Sequence, residues 1–444
     1  MYQPACIDGT RCNSVHHESQ ALRIVLEAAA EPGDHGGIEP YVLGLLNGLG
    51  KLTGGSEEYV VVTPWRSPNW PSAYLGANQR IVSTRKPQIG PTERFKSALG
   101  PLRKLMGRFY RAALGHNGSV SLNPALPRTE TSDVFWEELG GDLLHITYPL
   151  HFVEAKMPTV FTLHDLQHRH LPEFFSSGHL AWREAVYPVA LRHSRAVVTV
   201  SHWVKKDIIR QYGVESEKIY VIPNAPGTET YAPVDAATRE ATAVKFGLPE
   251  SFMLYPALTY QHKNHVRLLE AIALLRDRDG LRLNLICTGK QSLHWPLIKK
   301  RLHELDLSKQ VRFLGFVSAQ QLRAIFHLAQ FLVFPSLFEG AGIPLIEAFL
   351  EGVPAACSDI PPFREYGGDA TLFFDPQSVE NIAEALRRMA LETELRRDLR
   401  ERGLRRSHLY SWEASAKKYR AVYRKVGGAP LSAEDEGLLA ECTS

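Results

Sequence analysis

Two glutamates eight positions apart, Glu339 and Glu347, bracket a glycine-flanked turn in the stretch SLFEGAGIPLIEA (336–348). Pro344 suits the first turn of a helix, where its missing N–H is one the helix could not use. Gly340 and Gly342 let the backbone run close to whatever lies in front of that helix. A helix start offers unpaired N–H groups and a partial positive charge, so its natural occupant is an anion such as phosphate. Carboxylates do not bind phosphate but do accept hydrogen bonds from hydroxyls. The pattern therefore points to a ligand that carries both phosphate and sugar. A second signal lies upstream in FMLYPALTYQHKNHVRLLEAI (252–272), where Lys263 follows a strand-like run and opens a helix-like one. A lysine there adds a mobile full charge to the helix-end dipole, and a pyrophosphate needs several such donors at once.

The densest polar cluster is HDLQHRH (164–170). His164 ends an apolar run, so it is expected to point into a cleft. A metal site competes, because His164, Asp165, His168 and His170 are all possible ligands, although their spacing matches no zinc signature. Structural hydrogen bonding is the third reading, and the one that suits His168 and His170 best. A glycine loop, GDHGGIEPYVLGLLNGL (33–49), follows the first apolar run. Gly36 and Gly37 permit close backbone approach there, and Pro40 suits a first helical turn.

These residues need rigid elements behind them. A chain of 444 residues exceeds the size at which one core stops growing, so two domains are expected. Near-continuous apolar runs of the kind buried parallel strands require occur at 23–30, 59–64, 142–147, 159–165 and 196–201, and again at 252–257, 283–289, 311–316, 330–336 and 353–359. Longer amphipathic stretches alternate with them, the pattern of a doubly wound α/β sheet. Between the two series, IYVIPNAPGTETYAPVD (219–235) reads as a connection. Such sheets bind ligands beyond the carboxyl ends of their strands, which is where every candidate residue falls.

Composition excludes several classes. Apolar content of 44% and charged content of 22% are ordinary for a globular protein. A net charge of +3 on so long a chain does not argue for nucleic acid. Cys6, Cys12, Cys287, Cys357 and Cys442 are odd in number and scattered, which suits a reducing compartment better than a disulfide scaffold. The first twenty residues lack an apolar core, and no stretch approaches the length of a membrane span. A cytoplasmic location is the expectation. Residues 80–111 hold nine Arg or Lys and one acid, Glu93. That segment reads either as peripheral contact with an anionic membrane face or as the solvated face of a helix.

The stretch FPSLFEGAGIPLIEAFLEGVPAACSDIPPFREYGGDATLFFDP (334–376) closely resembles the family 4 retaining glycosyltransferases with their glutamate–seven residues–glutamate motif. YPALTYQHKNH (255–265) is similar to the segment of the branch that carries His-Lys-Asn, and 162–176, 198–214 and 311–330 also fit. The resemblance runs from about residue 20 to about 425, weakest near 65–135. It implies a GT-B fold, two Rossmann-like doubly wound domains facing a cleft. The acceptor-side domain would span 1–228 and the nucleotide-sugar domain 229–410. A final helix at 411–426 would cross back to the first domain, ahead of a tail at 427–444.

By resemblance, Glu347 holds the donor ribose, Glu339 faces the transferred sugar and Lys263 neutralises the pyrophosphate. Backbone N–H groups of Gly340, Ala341, Gly342, Ile343 and Leu345 would bind sugar oxygens and the distal phosphate. His164 resembles the histidine that touches the donor sugar, and Gly37 lies in a loop similar to the family's Gly-Gly-Ile-x-Arg-Tyr. Two departures stand out: Leu258 and Pro40 occupy usual arginine positions, with Arg267 or His262 as nearby basic substitutes for the first. The implied activity is retaining transfer of a hexose, mannose or a related sugar, from a nucleotide sugar to a glycan or lipid-linked saccharide in surface-polysaccharide synthesis. A GDP-sugar is favoured as co-substrate, with no other cofactor and no catalytic metal. The rival readings are a GT-B nucleotide-sugar epimerase and a non-catalytic nucleotide-sugar-binding subunit. Glycoside hydrolysis is disfavoured, because Glu339 and Glu347 flank a phosphate-type helix start rather than an open sugar groove.

Overall fold

A computed structural model of the chain describes residues 21–28, 37–84, 133–148, 155–227 and 233–444. Two parallel sheets carry the fold. The first contains β1 (Arg23–Glu27), β2 (Glu58–Thr63), β3 (Gln79–Ser83), β4 (Leu143–Ile146), β5 (Thr159–Thr162), β6 (Ala196–Thr199) and β7 (Ile219–Val221), in the order β3-β2-β1-β4-β5-β6-β7. The second contains β8 (Met253–Pro256), β9 (Leu285–Thr288), β10 (Val311–Phe313), β11 (Phe331–Phe334), β12 (Ala355–Ser358) and β13 (Thr371–Phe374), in the order β10-β9-β8-β11-β12-β13. Each order reverses once, between β1 and β4 and between β8 and β11. Those reversals open the crevices in which doubly wound sheets bind ligands.

The ten apolar runs all form strands, nine of them two or three residues shorter than their apolar stretches and β2 equal in length to its own but shifted by one residue. Three further strands were not expected. β3 and β13 sit at sheet edges with half-exposed residues, so no continuous apolar run marks them. β7 is only three residues long and opens the stretch read as a connection. Part of the basic segment, Arg80–Ser83, thus belongs to β3. Residues 85–111, Gly36, Cys6 and Cys12 lie outside the described residues. No helix among the described residues is long and apolar enough to cross a membrane.

Each sheet is covered on both faces, which is why its strands read as unbroken apolar runs. The second sheet and its helices form one core around Leu254, Ile286, Val333 and Ala356. One face of the first sheet packs the helices Ser177–His193 and His202–Tyr212. Its other face packs the helix Ile38–Lys51 and the crossover helix Trp412–Gly427. Those two helices touch through glycines. A β-carbon on Gly44 would lie 1.9 Å from the Trp412 ring, and one on Gly48 2.5 Å from the Trp412 carbonyl oxygen. Ser415 Oγ on the crossover helix donates to the carbonyl of Pro223, just past β7, at 2.8 Å. Within the stretch expected as a tail, the helix Ala433–Thr443 closes on a Ser432–Asp435 capping box, and Arg424 pairs with Asp435 at 2.8 Å.

Candidate functional site

The loops after β8 and β11 form the floor of one crevice. After β8 a single 3-10 turn, Gln261–Lys263, leads into the helix His265–Asp279. The junction residue Asn264 is left-handed, with φ 60°, a conformation asparagine tolerates better than most side chains. Its buried amide donates to the carbonyls of Pro335 (3.0 Å) and Pro376 (2.7 Å). The Leu337 N–H donates to the His262 carbonyl at 2.8 Å, and the Tyr255 hydroxyl donates to the Lys263 carbonyl at 2.7 Å. The two loops are therefore stitched together before any ligand arrives.

On that floor Lys263 Nζ donates to Glu339 Oε1 at 2.5 Å and lies 5.5 Å from the centre of the Phe334 ring. Both side chains are about one-seventh exposed, at 16% and 14%, so the pair borders the crevice rather than open solvent. The basic substitutes do not join it. Arg267 donates to Asn264 Oδ1 at 3.0 Å and so helps lock the left-handed turn. His262 is held neutral, because burial first, and then the neighbouring Lys263 and His265, push its pKa well below the ordinary range. Leu258 is half-buried and supplies a carbonyl for Tyr260 N–H at 2.9 Å.

The glycine turn leads into the helix Ile343–Leu350, with Pro344 in its first turn. Among the described residues, the N–H groups of Gly340, Ala341, Gly342 and Ile343 have no hydrogen-bond partner. Leu345 differs from expectation. Its N–H donates to the Gly342 carbonyl at 3.0 Å, because the first turn winds tightly and closes on its own cap. Glu347, on the same helix, accepts from the N–H of Gly227, within the connection. Burial, then the charge of Glu351 one turn on, raises its pKa to about 7, while the Gly227 bond opposes the rise. Glu351 is itself held by Arg323 and His327, both at 2.8 Å.

The first domain meets this site at two points. A β-carbon on Gly340 would lie 2.1 Å from the His164 carbonyl oxygen, so the two loops are in direct backbone contact. The Gly340 carbonyl also accepts from Ser201 Oγ at 3.0 Å. Gly37, the N-cap of Ile38–Lys51, approaches Ile343 to within 3.9 Å of where its own β-carbon would be. Gly37 has φ −72°, and 3.9 Å is an ordinary van der Waals distance, so neither backbone conformation nor clearance requires a glycine there. Further along the same interface, the Glu365 carboxylate caps His202–Tyr212 by accepting from His202 N (2.9 Å) and Trp203 N (3.2 Å).

His164 lies at the end of β5 with Nε2 3.0 Å from the Thr147 carbonyl oxygen. A carbonyl can only accept, so Nε2 carries the proton and Nδ1 presents a lone pair. Burial lowers the histidine's pKa, with the Thr147 bond opposing, so the ring is neutral at pH 7. The other histidines of the cluster turn elsewhere. His168 Nε2 approaches the Tyr212 hydroxyl at 3.3 Å, and His170 Nε2 pairs with Asp207 at 2.7 Å. No group of three metal-ligating side chains converges among the described residues. The structure thus gathers Lys263, Glu339, Gly340–Ile343, His164 and Gly37 at one crevice, with Glu347 one helical turn behind. Sequence reasoning assigned no role to Asn264, Tyr255 or Gly227. Only Asn264 carried a local signal, a turn-prone residue directly before a helix.

Comparisons with known proteins agree on one family. The model described as "Glycosyltransferase Family 4" matches residues 35–229, and "Glycosyl transferases group 1" matches residues 239–406. O-antigen chain mannosyltransferase B of Escherichia coli is 28% identical over 259 residues, 57% of this chain and 67% of that protein. O-antigen chain mannosyltransferase RfbU of Salmonella typhimurium is 26% identical over 237 residues, 53% of this chain and 62% of that protein. The match thus spans about two thirds of the length of these curated relatives. Among solved structures, Anabaena HepE in complex with UDP-glucose superposes with a TM-score of 0.66 at 15% identity, covering 91% of this chain and all of that one.

Proposed function

This chain belongs to the family 4 glycosyltransferases of GT-B fold, and on that premise we propose that it transfers a mannosyl or related hexosyl unit, with retention, from a GDP-sugar to a glycan or lipid-linked saccharide in surface-polysaccharide assembly. The observation that carries the reading is the Lys263–Glu339 pair beside the open N–H groups of Gly340–Ile343. A lysine and a helix start suit the pyrophosphate, and the carboxylate beside them suits sugar hydroxyls. In this reading Glu347, at the far end of the first helical turn, accepts from ribose hydroxyls once Gly227 yields. The mannosyltransferase names of the relatives favour mannose and, with the His-Lys-Asn segment, guanosine as the base.

In this reading Lys263 turns from Glu339 to the pyrophosphate as the bond from the anomeric carbon to phosphate oxygen breaks. Such preorganised charge stabilisation is commonly the largest catalytic contribution. The acceptor oxygen bonds to the same face of the sugar, and its proton passes to the departing phosphate oxygen, so the protein needs no separate base. His164, neutral and with Nδ1 unprotonated, accepts a hydrogen bond from a sugar hydroxyl. No metal takes part.

Calorimetric titration with GDP, UDP, ADP and dTDP, with and without EDTA, on wild type and Glu347→Ala tests the donor site. Selective GDP binding that survives EDTA and weakens in the variant is the expected result. Preference for another nucleotide refutes the GDP assignment. Incubation with GDP-mannose and a lipid-linked saccharide then tests transfer, since a lengthened acceptor separates it from epimerisation of the donor.

A further inference from the structure

His164 has a support that reaches the far end of the chain. Its ring stands edge-on to Tyr41, with centroids 4.6 Å apart and an 82° angle between planes. Tyr41 lies four residues beyond Gly37, in the first turn of Ile38–Lys51, and is wholly buried. Its hydroxyl is 2.8 Å from the Tyr419 hydroxyl and 3.2 Å from Thr162 Oγ1. Thr162 is 2.8 Å from Nε2 of His145, whose Nδ1 is 2.8 Å from the Tyr423 hydroxyl. Tyr419 and Tyr423 are neighbours on the crossover helix Trp412–Gly427. The hydrogen-bonded chain therefore leaves that helix at Tyr419, passes through Tyr41, Thr162 and His145, and returns at Tyr423.

Every member is buried, and each carries one hydrogen to give. The four bonds can therefore all be made, in either direction along the chain. His145 remains neutral, with burial the main cause of a pKa pushed down to about 3. A core of phenylalanines would fill the same space without the cost of burying polar groups. What the hydroxyls add is fixed orientation, because a fully satisfied buried network holds its members in one arrangement. The member that touches the cleft is Tyr41, through His164. Thr147 fixes which His164 nitrogen carries the proton, and Tyr41 packs edge-on against the ring.

We propose that Tyr41, anchored by Tyr419, is a positioning residue for His164, so that the C-terminal crossover helix helps to orient a side chain of the cleft. Only the kinetic consequence rests on the proposed role of His164 in transfer; the orientation itself does not. The test compares Tyr41→Phe and Tyr419→Phe, which keep the rings and remove one hydroxyl each. Val422→Ala serves as a control that thins the same helix's core contacts and leaves the hydroxyls alone. Imidazole NMR of the ligand-free, histidine-labelled protein, with His164 assigned by its loss in His164→Gln, gives the direct reading. Wild type and Val422→Ala should show one sharp His164 signal with Nδ1 unprotonated, broadened or split in both tyrosine variants. With saturating GDP-mannose, both tyrosine variants should lose about tenfold in kcat with donor KM changed less than about twofold. An unchanged His164 signal in Tyr41→Phe and Tyr419→Phe overturns the proposal, as does equal broadening in Val422→Ala. A broadened signal with wild-type kcat upholds the positioning and refutes a role for His164 in transfer.

Discussion

The carbonyl oxygen of His164 fills the space that a β-carbon on Gly340 would need, at 2.1 Å. Two loops from different domains are thus in backbone contact at the mouth of the crevice. Gly340→Ala must push them apart, and a displacement near 1 Å at a reacting centre can cost about 100-fold in rate. Steady-state assay should show a loss of at least about that size, with each domain's circular dichroism unchanged. Near-wild-type turnover would mean that the two loops are not apposed during reaction.

Lys263→Ala removes the ammonium group paired with Glu339 at the crevice floor. Loss of a preorganised charge of this kind lowers kcat by about 10²–10³-fold. The melting temperature should move little, because Asn264 and Tyr255 hold the loop's backbone independently of the ammonium group. A wild-type kcat would exclude Lys263 from leaving-group stabilisation.

Glu347 has a pH signature with two opposite signs. Its pKa is raised to about 7 in the folded chain against an ordinary value near 4.5, so the native state binds a proton that the unfolded state has released. That contribution to stability is complete below about pH 4.5 and is lost as pH rises through 7. If Glu347 holds the ribose as proposed, donor binding should run the other way, since the ionised carboxylate is the stronger acceptor for hydroxyls. Melting curves of ligand-free wild type against Glu347→Gln should converge at low pH and diverge towards pH 8, with wild type the less stable. GDP affinity of wild type should rise across pH 6–8, and that of Glu347→Gln should be flat and weaker by about 10- to 100-fold.

Asn264 carries a structural load that Asp cannot. Asn264→Asp keeps the left-handed backbone accessible but replaces a double donor with an acceptor facing two carbonyls. Leaving those buried carbonyls unpaired costs about 2–4 kcal/mol, measurable by denaturant unfolding. An unchanged midpoint would show that water or a shifted loop satisfies them.

What could be read in advance follows from how local each cause is. Buried strands announced themselves because both faces are covered. β3, β13 and β7 did not, being half-exposed or three residues long. The placement of Lys263, Glu339 and Glu347 around strand ends and helix starts was legible because strand, loop and helix follow one another within about twenty residues. Their partners were not. Lys263 and Glu339 are 76 positions apart, and Tyr41 and Tyr419 are 378 apart, so only the tertiary fold brings each pair together. Leu345 was assigned to the phosphate because sequence marks where a helix starts but not how tightly its first turn closes.

The Ser415–Pro223 bond has a mechanical consequence. The backbone passes between the domains twice, once after β7 and once before Trp412, and this bond ties the two passages together. Two lobes joined by a single flexible strand could tumble about one another. Joined by two passages fastened at one edge, they are expected to move mainly by rotation about that edge. Opening about that edge would let the proposed nucleotide sugar enter without shearing the lobes sideways, and would return Gly37 to Ile343 and His164 to Gly340 on closing.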